Sequence, residues 1–247
     1  MPMTFKIQNW KLAVLALIFF CLFISLGCWQ LSRANQKKIL LKAFTARTLA
    51  SPLTARDLNK KNDLRFYQAT VTGMFDNEHT FLLDNKIFHG KVGYEIYTPF
   101  KIDELATPIL IDRGFVPLGR DRNTLPAIRP ILGKVTITGM LNQPPAYVSL
   151  GNISDTAQIK WPLRIQYANL DELSTLLKSP LFPYILNLAP TDPAAYSVEW
   201  QVVTMSPEKH MGYAVQWFAL ALTLLILFVV LNRSPTGRAV QKSLSVK

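Results

Sequence analysis

Three histidines, two cysteines and sixteen carboxylates are the residues of this 247-residue chain from which metal, thiol or acid–base chemistry could be built. His79 and His89 flank a turn signal at Asp84-Asn85, so a hairpin could bring the two imidazoles together as a two-ligand metal site. No third ligand stands near them in the sequence, and exposed hairpin histidines are the plainer reading. Asp84, Glu95 and Asp112 fall on separate strand-like segments, from which no carboxylate pair follows; turn and surface roles are expected of them. Cys21 and Cys28, seven apart, share one side of a helix inside an apolar run and cannot staple a folded domain. C-x-x-C, C-x-x-C-H, a glycine-rich phosphate loop, H-E-x-x-H, G-x-S-x-G and the dinucleotide fingerprint are all absent, so no enzyme class is indicated. The histidine pair is the one hint of an enzyme in the central region.

His210 differs from the other two by its position. It opens an apolar run, and Tyr213, Ala214 and Trp217 follow at i+3, i+4 and i+7, on its own helical face. Gln216 lies about a turn and a half deeper. Near the end of another apolar run stand Trp29 and Gln30, just before Arg33. Were the two runs antiparallel helices, Trp29-Gln30 and Gln216-Trp217 would lie at similar depth, with Gly27 and Gly212 allowing close approach. Two accounts of these residues stay open. One is an aromatic belt with two glutamines bonding across a helix pair. The other is a cofactor site, because a neutral imidazole in a cleft lined by flat aromatics and small residues is what an axial ligand of haem iron requires.

The elements that carry these residues follow from hydropathy and charge. Only 17% of the chain is charged against 49% hydrophobic, and the formal charge is +11. Between Lys11 and Arg33 run 21 uncharged residues, and between His210 and Arg233 run 22, each about 32 Å as a helix and long enough to span a bilayer. All 16 acidic residues fall between Ala34 and Glu208. Lys6, Lys11, Arg33, Lys209, Arg233, Arg238, Lys242 and Lys247 lie in tails or beside apolar runs with no acid among them, which reads as membrane flanking and not as a nucleic-acid footprint. The first run exceeds the apolar core of a signal peptide and is read as an uncleaved anchor, despite small Ser32 and Ala34. A lipidated Cys28 is excluded because Ser25 and Leu26 are wrong for the residues before it.

Orientation rests on Arg233, Arg238, Lys242 and Lys247, which place both tails in the cytoplasm even though Lys37, Lys38 and Lys42 follow the first span. The absence of an Arg- and Ser-rich leader favours a bacterial inner membrane over a mitochondrial precursor. The expected organisation is a cytoplasmic tail 1–11, transmembrane helix 12–32, extracytoplasmic β-rich domain 33–209, transmembrane helix 210–232 and cytoplasmic tail 233–247.

Within the central domain, residues 34–50 continue the first helix as an amphipathic segment. Strand patterns then follow in FYQATVTGMF, TFLLDN, GYEIYTPF, PILIDRGFVPL, KVTITGML and SVEWQVV, whose alternation and punctuation predict antiparallel pairing in a sandwich or open barrel. One helix is predicted at Leu170–Leu177, with Asn169 as N-cap and Glu172 at N3. Pro144-Pro145 and residues 181–193 are expected to be loops. The fold class is thus a membrane protein in which two antiparallel transmembrane helices flank a mostly antiparallel β (α+β) extracytoplasmic domain.

LGCWQLSR, LLDNK, GYEIYTP, DRGFVP and HMGYAVQWFALAL, in this order and spread over nearly the whole chain, resemble the Surfeit-locus-one family of cytochrome c oxidase assembly factors. The resemblance implies a non-catalytic membrane chaperone that holds or delivers haem a to the largest subunit of a haem-copper oxidase, with haem a synthase as a further candidate partner. It implies that His210 matches the histidine implicated as haem ligand, and that Tyr213, Gln216 and Trp217 belong to the same motif. Gly27, Trp29, Gln30 and Arg33 match the motif closing the first span. On this reading Trp217, Tyr213 and Trp29 contact the macrocycle, and Arg33 either reaches a propionate or only anchors at headgroups. Phe115 stands where family members often carry Trp, a departure that keeps an aromatic. The alternative function is a scaffold that stabilises an oxidase assembly intermediate without touching haem.

Overall fold

The computed structural model describes residues 3–5, 7, 9–60, 62–119, 124–147, 151–154, 159–200 and 205–235. In chain order its elements are β1 (Met3–Phe5), α1 (Trp10–Thr48), α2 (Ala55–Leu58), β2 (Gln68–Phe75), β3 (Phe81–Phe88), β4 (Lys91–Ile102), β5 (Ile109–Pro117), β6 (Val135–Asn142), β7 (Leu163–Ile165), α3 (Leu170–Leu177), β8 (Ile185–Leu188), α4 (Pro207–Leu231) and β9 (Arg233–Pro235). They form two compact units, residues 1–41 with 203–247, and residues 42–202.

The first unit is a helix pair. Asn9 starts α1 by accepting the Lys11 and Leu12 N–H groups on its side-chain oxygen, and Pro207 stands in the first turn of α4, where its missing N–H costs nothing. Both helices are long and apolar enough to cross a membrane. At 39 residues, α1 is about 58 Å long and far exceeds one bilayer crossing. Its continuation past Ser32 is the extension predicted from the amphipathic segment. Gly27 is buried beneath Phe218 of α4, and a Cβ added there would stand 2.5 Å from the ring. Phe23 stacks on Trp217 with centroids 5.8 Å apart. Antiparallel pairing of β1 with β9, Met3 opposite Pro235, joins the far ends of the two helices. Cys21 and Cys28 are free thiols on the exposed surface of α1. The flanking charges at Lys6, Arg238, Lys242 and Lys247 lie outside the described residues.

The second unit is built on a seven-stranded mixed sheet in the order β2-β6-β8-β5-β4-β3-β7. A further pairing of β2 with β4, Gly73 opposite Ile102 through Phe75 opposite Phe100, closes β2, β6, β8, β5 and β4 into a five-stranded Greek-key barrel of the OB type. That likeness concerns strand order alone and carries no function. Ala69, Val71, Phe75, Phe100, Ile102, Ile109, Ile111, Ile137, Leu141, Leu186 and Leu188 fill one core. Across the sheet from it, Phe81, Leu83, Tyr97, Leu110, Leu163, Ile165 and Leu173 form a second core, beneath α3. The end of α1 is clamped within this unit: Arg47 donates to Asp63 at 2.9 Å and to the Arg65 carbonyl at 3.0 Å, while Phe44 meets Phe66 edge to face.

The predicted strands around Val71 and in TFLLDN, GYEIYTPF, PILIDRGFVPL and KVTITGML all form, as β2 to β6. The helix forms at Leu170–Leu177, and Asn169 accepts from the Asp171 and Glu172 N–H groups as predicted. The sheet is mostly antiparallel, as expected, and mixed, because β3 pairs with β7 and β5 with β8 in parallel. Two expectations are corrected. Residues 181–193 are not a loop throughout, since β8 lies among them and sits between β5 and β6. Finally, Asp84-Asn85 is not the hairpin turn but a bulge inside β3, where Asn85 takes φ +58° and donates its N–H to Asp84 Oδ1 at 2.7 Å. The chain reverses instead at His89 (φ +46°) and Gly90 (φ +76°), a two-residue turn between Phe88 and Lys91. Of SVEWQVV, Ser197 makes one isolated bridge to Phe115, and residues 201–203 lie outside the described residues.

Candidate functional site

Four residues after the N-cap Ser206, His210 is 8% exposed in the first turn of α4. Its Nδ1 lies 2.7 Å from Oε1 of Gln30 on α1. An amide oxygen only accepts, so Nδ1–H donates, and in the neutral imidazole this is the tautomer whose Nε2 keeps a free lone pair. This is the arrangement in which a second partner orients a metal-ligating histidine through its other nitrogen. Gln30 therefore pairs with His210 and not with Gln216, and the polar tie across the helix pair is an imidazole–amide bond.

The remaining expected residues divide. Arg33 lies over the Trp29 ring at 5.7 Å and donates to Gln36 Oε1 at 3.1 Å, so Trp29 and Arg33 form one exposed patch on α1. Trp29 is 50% exposed and Tyr213 45%, while Gln216 is also exposed. Trp217 faces Phe23, not Trp29-Gln30, because antiparallel packing that puts Gln30 beside His210 carries Trp217 about two turns further along. Gly27 serves the predicted close approach; Gly212 has nothing within 4 Å of an added Cβ and does not. A groove between the helices opens at the other end of the pair, around Ala13, Leu17, Phe20, Leu224 and Phe228, and its lining is wholly apolar.

In the barrel unit the two histidines part. His79 and His89 lie beyond opposite ends of β3, each with its own carboxylate: His79 Nδ1 stands 2.7 Å from Asp76, and His89 Nε2 3.2 Å from Glu199. The two-ligand metal site does not form. Among the described residues, no group of three or more His, Cys, Asp or Glu side chains could hold a metal ion.

Two features escaped the sequence. Glu95 of β4 and Asp112 of β5 lie within hydrogen-bonding reach of each other, and burial raises both carboxyl pKa values, that of Asp112 well above the carboxylate range. The other feature is Arg113, fully buried with its guanidinium between Phe75 at 5.4 Å and Tyr196 at 4.9 Å. It donates to the Ala194 and Arg129 carbonyls, and burial lowers its pKa. Alternation along DRGFVP would have shown that Asp112 and Arg113 point opposite ways; which neighbours meet them is decided by the register of β4 and β8.

Fold and site together define a class: two long apolar helices that flank a mixed β-barrel unit in the sequence, with a histidine at the head of the second helix bonded to the first. Residues 17–222 match the SURF1 family, and the chain belongs to that family. It is similar to the SURF1-like protein of Rickettsia bellii, at 27% identity over 96% of this chain and 97% of that one. The SURF1-like protein of Rickettsia felis is 24% identical over 91% and 98%. Similarity extends to Surfeit locus protein 1 of Gallus gallus, 23% identical over 86% of this chain and 71% of the relative.

Proposed function

We propose that this chain is a non-catalytic assembly factor for a haem-copper cytochrome c oxidase, anchored in the bacterial inner membrane by α1 and α4, which binds haem a and assists its insertion into the largest oxidase subunit. Both tails are cytoplasmic and the barrel unit is extracytoplasmic on this reading, with haem a synthase as a second partner. The observation that carries it is the His210–Gln30 bond at 2.7 Å, which leaves a buried imidazole with one available nitrogen. Bound there, haem a supplies an iron centre that takes a neutral nitrogen donor.

Each residue then has a part the helix pair supports. His210 offers Nε2, and Gln30 holds the ring in the tautomer that makes the offer. Trp29 and Tyr213 present half-exposed aromatic faces suited to a flat apolar ligand, while Trp217, packed on Phe23, stiffens the pair below them. Arg33, over Trp29, offers an exposed cation to a carboxylate such as a propionate. The fit is one of donor chemistry. Transfer favours modest affinity, because a carrier that binds too tightly cannot release.

The close fit of Phe218 over Gly27 favours a second reading, in which His210 and Gln30 only lock the helices and the protein is a scaffold without haem. An absorption spectrum of the detergent-purified protein from cells that make haem a, wild type beside His210→Ala, separates the two. A haem band that weakens or shifts in the variant is the expected result. Equal bands would remove His210 from the site, and no band in either would leave the scaffold.

A further inference from the structure

A carboxyl pair sits at the seam between β4 and β5. Tyr97 is opposite Asp112, whereas Glu95 is opposite Phe115, so β5 carries one residue more than β4 between these points. The extra residue is accommodated at Gly114, whose φ of +98° suits glycine and where a Cβ would meet the Ser197 carbonyl at 2.7 Å. This bulge sets Asp112 opposite Tyr97 and within hydrogen-bonding reach of Glu95. The Gly114 N–H donates to Asp112 Oδ1 at 3.1 Å.

A hydrogen bond between two carboxyl groups needs a proton on one of them, since ionised carboxylates only accept. A second observation lies on the next strand. Asn187 of β8 is the register partner of Asp112, is 5% exposed, and its Oδ1 has no hydrogen-bond partner among the described residues. A buried acceptor beside the pair is a place for an O–H donor. Facing charges are few: Lys86 of β3 acts on Glu95, Arg164 of β7 stands 3.9 Å from Asp84, and β8 contributes no titratable side chain.

We propose that Glu95 and Asp112 form a proton-binding site in which one proton, held between the two carboxyls at neutral pH, ties β4 to β5 and makes the barrel's stability proton-linked. Release of that proton leaves two carboxylates in contact, opposed by Lys86 alone among the cations named. Burial raises both groups, and the Glu95 charge raises Asp112 further. The folded pair therefore binds more protons than the unfolded chain, whose carboxyls titrate near 4, so its stabilising contribution is complete below about pH 4 and declines as pH rises through the folded values. The seam tightens when its compartment acidifies and loosens when it turns alkaline.

Infrared absorption of the full-length protein in detergent at neutral pH reads the proton directly. A protonated-carboxyl band in the wild type, lost in both Asp112→Asn and Glu95→Gln, is expected; a wild type without the band overturns the site. Thermal unfolding from about pH 5 to about pH 9 is the second measure. Asp112→Asn keeps an N–H donor toward Glu95 without a titrating proton, so the wild-type midpoint should fall relative to this variant as pH rises. Should Asp112→Asn not fold, Glu95→Gln, at the less buried position, carries the same comparison. Parallel pH profiles in wild type and variant would overturn the proposal.

Discussion

At His210 a single hydrogen bond decides which ring nitrogen is left over. Gln30→Leu removes the acceptor and leaves a buried Nδ1–H unsatisfied, at a cost of about 1–3 kcal/mol. A double-mutant cycle with His210→Ala, read from thermal midpoints in detergent, should show coupling between the two positions. Additive effects would mean the bond contributes nothing to the pair. The glycines make a sharper contrast. Gly27→Leu collides with the Phe218 ring and should destabilise the helix pair, whereas Gly212→Ala meets open space and should be neutral or gain about 0.5–1 kcal/mol, as alanine usually does inside a helix. Spacing revealed both glycines but not their difference, because only the rotation of each helix about its axis places one in the contact and the other outside it.

The elements the sequence concealed include β1, α2, β7 and β9, and above all β8, which joins β5 to β6 in the barrel. Ile185–Leu188 is four residues long and wholly buried, so it shows none of the alternation that marks a half-exposed strand, and prolines on both sides read as loop. Its partners β5 and β6 lie more than forty residues earlier, and parallel pairing with β5 leaves no local trace. Leu186→Ala should cost about 2–5 kcal/mol, because the side chain is fully buried in the barrel core; a loss under 1 kcal/mol in denaturant titration would argue that β8 is not integral to it. The helix α3 is legible in the sequence, since its cap and first turn are written locally in Asn169 and Glu172. At the end of α1, Arg65 and Arg47 hold the Asp63 carboxyl far below its usual range. Its contribution is present above the unfolded value near 4 and is lost as pH falls through the folded one, so the wild-type advantage over Asp63→Asn should shrink on acidification, as followed by thermal melts.

For the whole molecule, the two units make different demands. The barrel unit has both of its main cores between Leu53 and Ala194, all within residues 42–202. A fragment of residues 42–202 should thus fold alone, with a cooperative melt and β-type circular dichroism; a non-cooperative melt would show that the helices are needed for the barrel. The helix pair, by contrast, exposes Leu12, Leu17, Ile18, Leu222 and Val230, an apolar surface that a detergent or bilayer must cover. By itself the sequence determined the two apolar helices, the hairpin strands, α3 and the candidate residues His210, Gln30, Trp29 and Arg33, because hydropathy, period and capping are local properties. Tertiary structure alone decided the closure of the barrel through β8, the choice of Gln30 over Gln216 as the partner of His210, and the meeting of Glu95 with Asp112. Each of those depends on register between segments distant in the chain, and a one-residue bulge or a small helix rotation, which no local pattern records, changes which side chains meet.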